Sequence, residues 1–167
     1  MNIFLVGPMG VGKTTIGHYL SNNLKLEFID SDHEIEKQAG VTIPMIFEFE
    51  SEIGFRRRER AVINELTRQN NIVLSTGGGV VLDTNNRQYL KKRGYVIYLY
   101  ASVDELLERT SHNHNRPLLQ TGNPREKITS LLEERHPLYE MTADSTIDTT
   151  QKSIRQVIKL ILGHLEK

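Results

Sequence analysis

A short apolar run, Asn2-Ile3-Phe4-Leu5-Val6, passes directly into Gly7-Pro8-Met9-Gly10-Val11-Gly12-Lys13-Thr14. The second stretch is the phosphate-binding pattern G-x-x-x-x-G-K-T, and its setting constrains the fold more than any other feature of the chain. Ile3, Phe4, Leu5 and Val6 predict a buried central strand. Ile16, Tyr19, Leu20 and Leu24 recur at helical spacing just after the loop, which predicts a helix over 13–24. Glycines let such a loop curl so that successive N–H groups point at one phosphate, and the helix beginning near Lys13 adds its positive end. Lys13 is placed to reach the terminal phosphates of a nucleotide, and the Thr14 hydroxyl to ligate Mg²⁺. The alternative is a glycine-rich turn that matches by chance. Strand, loop, Lys-Thr and helix in the right order count against it.

The rest of the chain alternates short apolar runs with longer helical patterns, which predicts an α/β fold with a parallel sheet. Strands are expected at 2–6, 26–29, 72–75, 95–99 and 146–148, and helices at 13–24, 32–39, 44–50, 52–69, 84–92, 103–110, 124–135 and 151–165. At 167 residues these elements fit one domain. Ser31-x-x-Glu34 and Asn123-x-x-Glu126 read as capping boxes, the second with Pro124 at the first helical position. Gly40 and Gly94 read as helix stops. Residues 111–122 break the rhythm: they are polar and aperiodic, and they lie between two helices. In a phosphate-transferring chain the functional reading of so long a loop is a lid.

Several groups carry possible chemistry. Asp30-Ser31-Asp32 follows the second expected strand, where side chains reach the ligand crevice of such folds. One carboxylate could hold Mg²⁺ through water and the other orient or deprotonate a hydroxyl. The competing reading makes Ser31 the helix cap and Asp32 a complement to the helix dipole. The third strand ends Val73-Leu74-Ser75-Thr76-Gly77 without an acid, which leaves Asp30 as the candidate metal partner near the loop. Phe55-Arg56-Arg57-Arg58-Glu59-Arg60 lies in a helical pattern whose covered side is suggested by Ile53, Phe55, Val62, Ile63 and Leu66. Arg56 and Glu59, three apart, can touch. A buried Arg56 held by Glu59 would clamp a carboxylate; a solvated Arg56 would be one more surface charge. Gly77-Gly78-Gly79 after a strand removes every side chain from a turn, as expected where a ligand meets main chain. Arg109, Arg116 and Arg135 bracket the irregular loop, with Arg116 inside it and Arg135 at an expected helix end. The six histidines form no metal-ligand pattern.

Taken in order, residues 7–14, Asp30-Ser31-Asp32, Phe55-Arg56, Thr76-Gly77-Gly78-Gly79, Arg116-Pro117-Leu118-Leu119 and Arg135-x-Pro137-Leu138-Tyr139 resemble the shikimate kinases along nearly the whole chain. The resemblance implies ATP-dependent phosphorylation of the 3-hydroxyl of shikimate, in the pathway to aromatic amino acids. It implies a P-loop kinase fold, α/β/α in three layers, with a five-stranded parallel sheet of order 2-3-1-4-5. Residues 1–167 would form one such domain, with a shikimate-binding region at about 31–61 and a lid at about 111–122. ATP would be held by Gly10, Val11, Gly12, Lys13, Thr14, Thr15, Arg109 and Arg116, and Mg²⁺ by Thr14 and, through water, Asp30. Shikimate would be held by Asp32, Arg56, Gly78, Gly79 and Arg135, with Glu59 steadying the arginines and Phe47 and Phe55 as an apolar wall. Lys13, Asp32 and Arg116 would be catalytic, Asp32 as the base. The loop Asp148-Thr149-Thr150-Gln151-Lys152 lacks a proline that some relatives carry there, so it departs from them where adenine would sit.

Lys plus Arg equals Asp plus Glu at 21 each, which gives no reason to expect a nucleic-acid partner. No cysteine is present, which excludes disulfides and thiolate metal sites. No apolar run is long enough for a membrane span, and the first residues already read as strand rather than leader. A cytoplasmic monomer is the expectation. A gluconate kinase or small nucleotide kinase would share the P-loop and lid. A regulatory nucleotide-binding module would want Asn-Lys-x-Asp and Asp-x-x-Gly, and neither occurs.

Overall fold

The computed structural model describes residues 1–111 and 122–166. Five parallel strands, β1 (Ile3–Val6), β2 (Glu27–Asp30), β3 (Ile72–Ser75), β4 (Tyr95–Tyr100) and β5 (Ser145–Asp148), form one sheet in the order β2-β3-β1-β4-β5. Ile3 of β1 pairs with Val73 on one side and Tyr95 on the other. All four β1 residues are fully buried, as a central strand covered on both faces requires.

Among the described residues seven α-helices flank the sheet: α1 (Lys13–Leu24), α2 (Ser31–Ala39), α3 (Ile43–Leu66), α4 (Thr84–Arg93), α5 (Val103–Thr110), α6 (Pro124–Thr142) and α7 (Ile154–Leu165). The strand period divides β1 between two cores. Phe4 and Val6 meet Ile35, Phe55, Ile63, Leu90 and Tyr139 on one face. Ile3 and Leu5 meet Ile16, Leu20, Leu106 and Ile161 on the other. The chain goes to one side of β1 for β2 and β3 and to the other for β4 and β5. The carboxyl ends of β1, β2 and β3 therefore open together on a crevice at the switch point.

Some local expectations change. The cap of α2 is Asp30, not Ser31: Asp30 Oδ1 accepts from the backbone N–H groups of Asp32 (2.9 Å) and His33 (3.3 Å). β2 extends one residue further than its apolar pattern suggests, and Asp caps as well as Ser. Ser31 becomes the first helical residue and is fully buried. α6 runs past residue 135 to Thr142, through Pro137. Proline forfeits one backbone bond there, and the flanking turns are held from outside the helix. His136 Nδ1 shares a hydrogen bond with the Tyr98 hydroxyl at 2.8 Å, and the Tyr139 hydroxyl donates to the Gly78 carbonyl. Arg135 thus sits in mid-helix rather than at a helix end.

The split between 44–50 and 52–69 appears as a break within α3 at Ser51 (φ 60°, ψ −176°), a conformation seldom adopted by residues other than glycine. The break folds the first part of α3 back. The Phe47 and Phe55 rings meet with centroids 4.9 Å apart, whereas eight residues of straight helix would separate them by about 12 Å along the axis. Glu50 and Arg58 form a two-pronged ion pair across the same break, at 2.8 and 2.7 Å. Tyr19 and Ile53, placed on covered faces by spacing, are instead 53% and 74% exposed. Among the described residues no helix is long and apolar enough to cross a membrane.

Candidate active site

The loop after β1 leads into α1 through Gly12, whose φ of 102° is a left-handed conformation that side chains resist. Lys13 folds back over this loop. Its Nζ donates to the carbonyls of Gly7 (2.6 Å) and Pro8 (2.9 Å), and the residue is almost buried. Arg109 of α5 braces the loop from outside: Nη1 donates to the Val11 carbonyl (2.7 Å) and more weakly to that of Gly10 (3.3 Å), while Nη2 pairs with Glu105. A cavity of about 300 Å³ opens beside it, lined by Val11, Gly12 and Thr15, by Arg109, and by Thr149, Lys152, Ile154 and Val157 from the chain after β5. Thr149 and Lys152 belong to the loop 148–152 that the sequence places at the adenine site; Ile154 and Val157, aliphatic residues of common type, were not singled out, and only the course of the chain brings them here.

Thr14 and Asp30 meet at the mouth of the crevice, the Thr14 hydroxyl donating to Asp30 Oδ2 at 3.0 Å. The described residues hold no cluster of three or more His, Asp or Glu side chains that could cage a metal. One hydroxyl and one carboxylate oxygen side by side suit a Mg²⁺ ion whose other ligands are nucleotide phosphates and water. Both residues thus fit the metal that the sequence suggests.

The turn after β3 gathers the remaining candidates. Thr76 pins it to β1, its hydroxyl donating to the Leu5 carbonyl at 2.7 Å. None of Gly77, Gly78 and Gly79 has a positive φ, so the glycines supply room rather than handedness. A methyl group on Gly79 would fall on the Arg56 guanidinium. One on Gly78 would come within 3.5 Å of Arg135 Nη1. Arg56 is therefore not the solvated alternative. Its Nη1 pairs with Glu59 Oε1 at 2.9 Å and its Nε with Glu52 at 3.3 Å. Burial works against its charge, but Glu59 and Glu52 outweigh it and hold the guanidinium protonated. Arg135 is 4% exposed and its Nε has no hydrogen-bond partner among the described residues. Tyr139, four residues on and so on the same helical face, fixes Gly78 from below; its spacing from Arg135 was the available signal. Arg57 is exposed and Arg58 pairs with Glu50, away from this pocket. Arg116 and most of the 111–122 loop lie outside the described residues.

Glu59 is the buried acid of the group, with no exposed surface and with Oε2 unpaired among the described residues. Burial drives its pKa up, to about 7, and Asp32 pushes the same way, against the pull of Arg56 and Arg135. An acid whose folded pKa exceeds its unfolded one binds more protons when folded. Its contribution to stability is full below the ordinary carboxylate pKa and declines as pH rises toward 7. Glu59→Gln should remove this decline, worth up to about 1.4 kcal/mol per pH unit. Urea melts between pH 4.5 and 7.5 would show it as a flatter stability profile in the variant; equal slopes would count against proton binding at Glu59.

A family model for shikimate kinase matches residues 9–166. The shikimate kinase of Methylococcus capsulatus is 55% identical over 99% of this chain and 93% of its own length. The chain belongs to the shikimate kinase family. The shikimate kinase of Nitrosococcus oceani is likewise 55% identical, over 99% of this chain and 87% of its own. Among solved structures, the shikimate kinase from Acinetobacter baumannii in complex with shikimate superposes with a TM-score of 0.96 at 52% identity, covering 98% of this chain and 92% of that one. A gluconokinase from Sinorhizobium meliloti gives a TM-score of 0.61 at 16% identity, over 99% of this chain and 91% of its own, a likeness of fold alone. The family's sheet order, 2-3-1-4-5, is the one described above. The activity that goes with membership is ATP-dependent phosphoryl transfer.

Proposed function

We propose that this chain transfers the γ-phosphate of ATP to the 3-hydroxyl of shikimate, giving shikimate 3-phosphate and ADP, and that the residues gathered above divide the work. The observation that carries the reading is the convergence of Arg56, Arg135 and Asp32 on Gly77-Gly78-Gly79 beside the phosphate-binding loop. A carboxylate clamp and a hydroxyl-engaging acid in one pocket are what a small polyhydroxylated carboxylate needs.

In this reading Gly10, Val11, Gly12, Thr14 and Thr15 present the loop and helix end to the phosphates, and Lys13 turns its ammonium from the loop carbonyls to the transferring group. Arg109 steadies that loop and walls the adjoining cavity, where adenine would sit. Thr14, and Asp30 through water, would hold Mg²⁺, which when bound neutralises charge on the phosphate oxygens. Arg56 and Arg135 take the shikimate carboxylate, with Gly78 and Gly79 as the floor and Phe47 and Phe55 as the wall. Asp32 accepts the proton of the attacking hydroxyl. Arg116 and a lid at about 111–122 complete the site; water excluded by closure cannot take the phosphoryl group. The region 31–61 is then the acceptor side of a single domain. We take the chain to act as a cytoplasmic monomer: the phosphate-binding loop, the clamp arginines and Asp32 are all its own residues, and ATP is at hand there.

ADP release measured with shikimate, quinate, gluconate and nucleoside monophosphates tests the acceptor: shikimate should be preferred, and equal rates with gluconate would overturn the assignment. Arg56→Lys tests the clamp. It keeps the charge but loses the planar fork. Shikimate affinity should fall by about 1.5–3 kcal/mol, the worth of a charge-assisted hydrogen bond, with the ATP constant unchanged. A shikimate analogue lacking the carboxylate should be a poor substrate for the unmodified enzyme and be harmed little further by Arg56→Lys. Equal sensitivity of both substrates would remove Arg56 from the clamp.

A further inference from the structure

Gly77 is the one glycine of the triplet without an assigned task, and it faces neither arginine. A methyl group built on it would lie 2.8 Å from Asp32 Oδ1, 3.4 Å from Asp32 Oδ2 and 3.2 Å from Glu59 Oε2. Two carboxylates from two different helices, α2 and α3, thus converge on the empty side of one α-carbon. The backbone around it cannot retreat. On one side Thr76 donates to the Leu5 carbonyl from both its hydroxyl and its N–H, at 2.7 and 3.3 Å. On the other the Gly77 carbonyl accepts from Val80 N–H at 3.1 Å, opening the Val80–Leu82 turn of 3-10 helix, whose apolar residues Val80 and Val81 are fully buried. Glu59 is equally fixed: it is enclosed and bonded to Arg56. Of the groups that meet at Gly77, the Asp32 carboxylate lies nearest, so a methyl group there would press first on Asp32.

We propose that Gly77 is a positioning residue of the phosphoryl transfer: its missing side chain is the space that lets the Asp32 carboxylate reach the acceptor hydroxyl while Glu59 keeps its hold on Arg56. The proposal rests on the reading of Asp32 as the group that engages that hydroxyl. It differs from the roles of Gly78 and Gly79, which floor the pocket beside the two arginines. Since φ at Gly77 is not positive, alanine is compatible with its backbone, and the substitution tests space alone.

Gly77→Ala should lower kcat tenfold or more, raise the KM for shikimate less, and leave the KM for ATP within twofold. The decisive comparison is made in an Asp32→Asn background. If Gly77 acts through the Asp32 carboxylate, Gly77→Ala should cost less than twofold further in the residual rate there, a strong departure from additivity. A full tenfold loss in both backgrounds, or no loss in the unmodified enzyme, would overturn the proposal while leaving the role of Asp32 standing. Unaltered turnover of Asp32→Asn would overturn the reading beneath it, and the proposal with it. Should Gly77→Ala fail to fold, Asp32→Glu presses on the same α-carbon from the opposite side, with its charge kept. It should also lose at least tenfold in kcat at an unchanged KM for ATP. Normal turnover of Asp32→Glu would show that the spacing is not enforced.

Discussion

Asp32→Asn is expected to lower turnover by about 10²–10⁴-fold, the usual worth of a general base, with little change in ATP affinity. The structure sharpens this test because it separates two roles that sequence left entangled. The capping bonds of α2 run to Asp30 Oδ1, and Asp32 supplies only its backbone N–H to them. Replacing its side chain therefore leaves the cap intact. Its charge in the first helical turn is worth about 0.3–1 kcal/mol. Thermal melts should shift by little while the rate collapses. A variant that melts markedly lower yet turns over at the normal rate would return Asp32 to a helix-dipole role and leave the reaction without its base. Asparagine is the right probe because it keeps the shape beside Gly77 and removes only the charge and the basicity.

The framework was legible because its signals are local and periodic. Ile3 to Val6 followed by a glycine-rich loop can hardly be anything but a central strand feeding a helix, and 13–24 is the observed extent of α1. The errors fall where tertiary contacts override a local rule. Pro137 reads as a helix end, but the bonds from Tyr139 to Gly78 and between His136 and Tyr98 carry α6 onward. Ser31 and Asp30 are both good caps, and only the strand length decides between them. Ile53 lies beyond the break at Ser51, in the same helical stretch as Phe55 and Val62, and at ~100° per residue it stands about 200° from Phe55 and about 180° from Val62, so it faces outward. An apolar residue near an apolar stripe belongs to the core only when its helical angle agrees.

The candidate site divides in the same way. Residues carried by a contiguous motif, such as Lys13 and Thr14, need only the strand and helix around them to be located. Arg56 does not: spacing allowed a surface charge as readily as a clamp. Its contact with Gly79 joins residues 23 positions apart, which no local pattern encodes. Three glycines suggested main chain exposed to a ligand. Their α-carbons also face the charged side chains of Asp32 and Glu59 at Gly77 and of Arg56 at Gly79, and the Met9 N–H and Arg135 at Gly78, so the glycine run also marks where functional groups need room. Of the cavity wall, Thr149 and Lys152 fall in the loop expected near adenine, but Ile154 and Val157 had no signal, though Ser153-x-x-Gln156, which caps α7 in both directions, could have placed the start of that helix.

Lys13→Ala should reduce turnover by at least about 10²-fold, since it removes a preorganised cation from the point where charge develops on the transferring phosphoryl group. The same ammonium holds the Gly7 and Pro8 carbonyls, so some stability must go with it. Charge-assisted hydrogen bonds set that loss at up to about 3 kcal/mol, which lowers the melting temperature without unfolding a loop that Arg109 still braces through the Val11 carbonyl. Two effects are then mixed in one variant, and the KM values separate them. If Lys13 serves the reaction, kcat falls at saturating ATP and shikimate, at a temperature well below the melt, while calorimetric binding of shikimate is preserved. If it serves only to shape the loop, ATP affinity falls and kcat recovers once ATP saturates. Lys13→Arg makes the contrast sharper. It retains a cation that can still bond the two carbonyls, so stability should return; its longer, planar head does not match the position of a compact ammonium, so turnover should stay low. Recovery of both together would mean that any positive charge at this position is enough. Turnover at the normal rate in Lys13→Ala would exclude this loop as the place where phosphate is transferred.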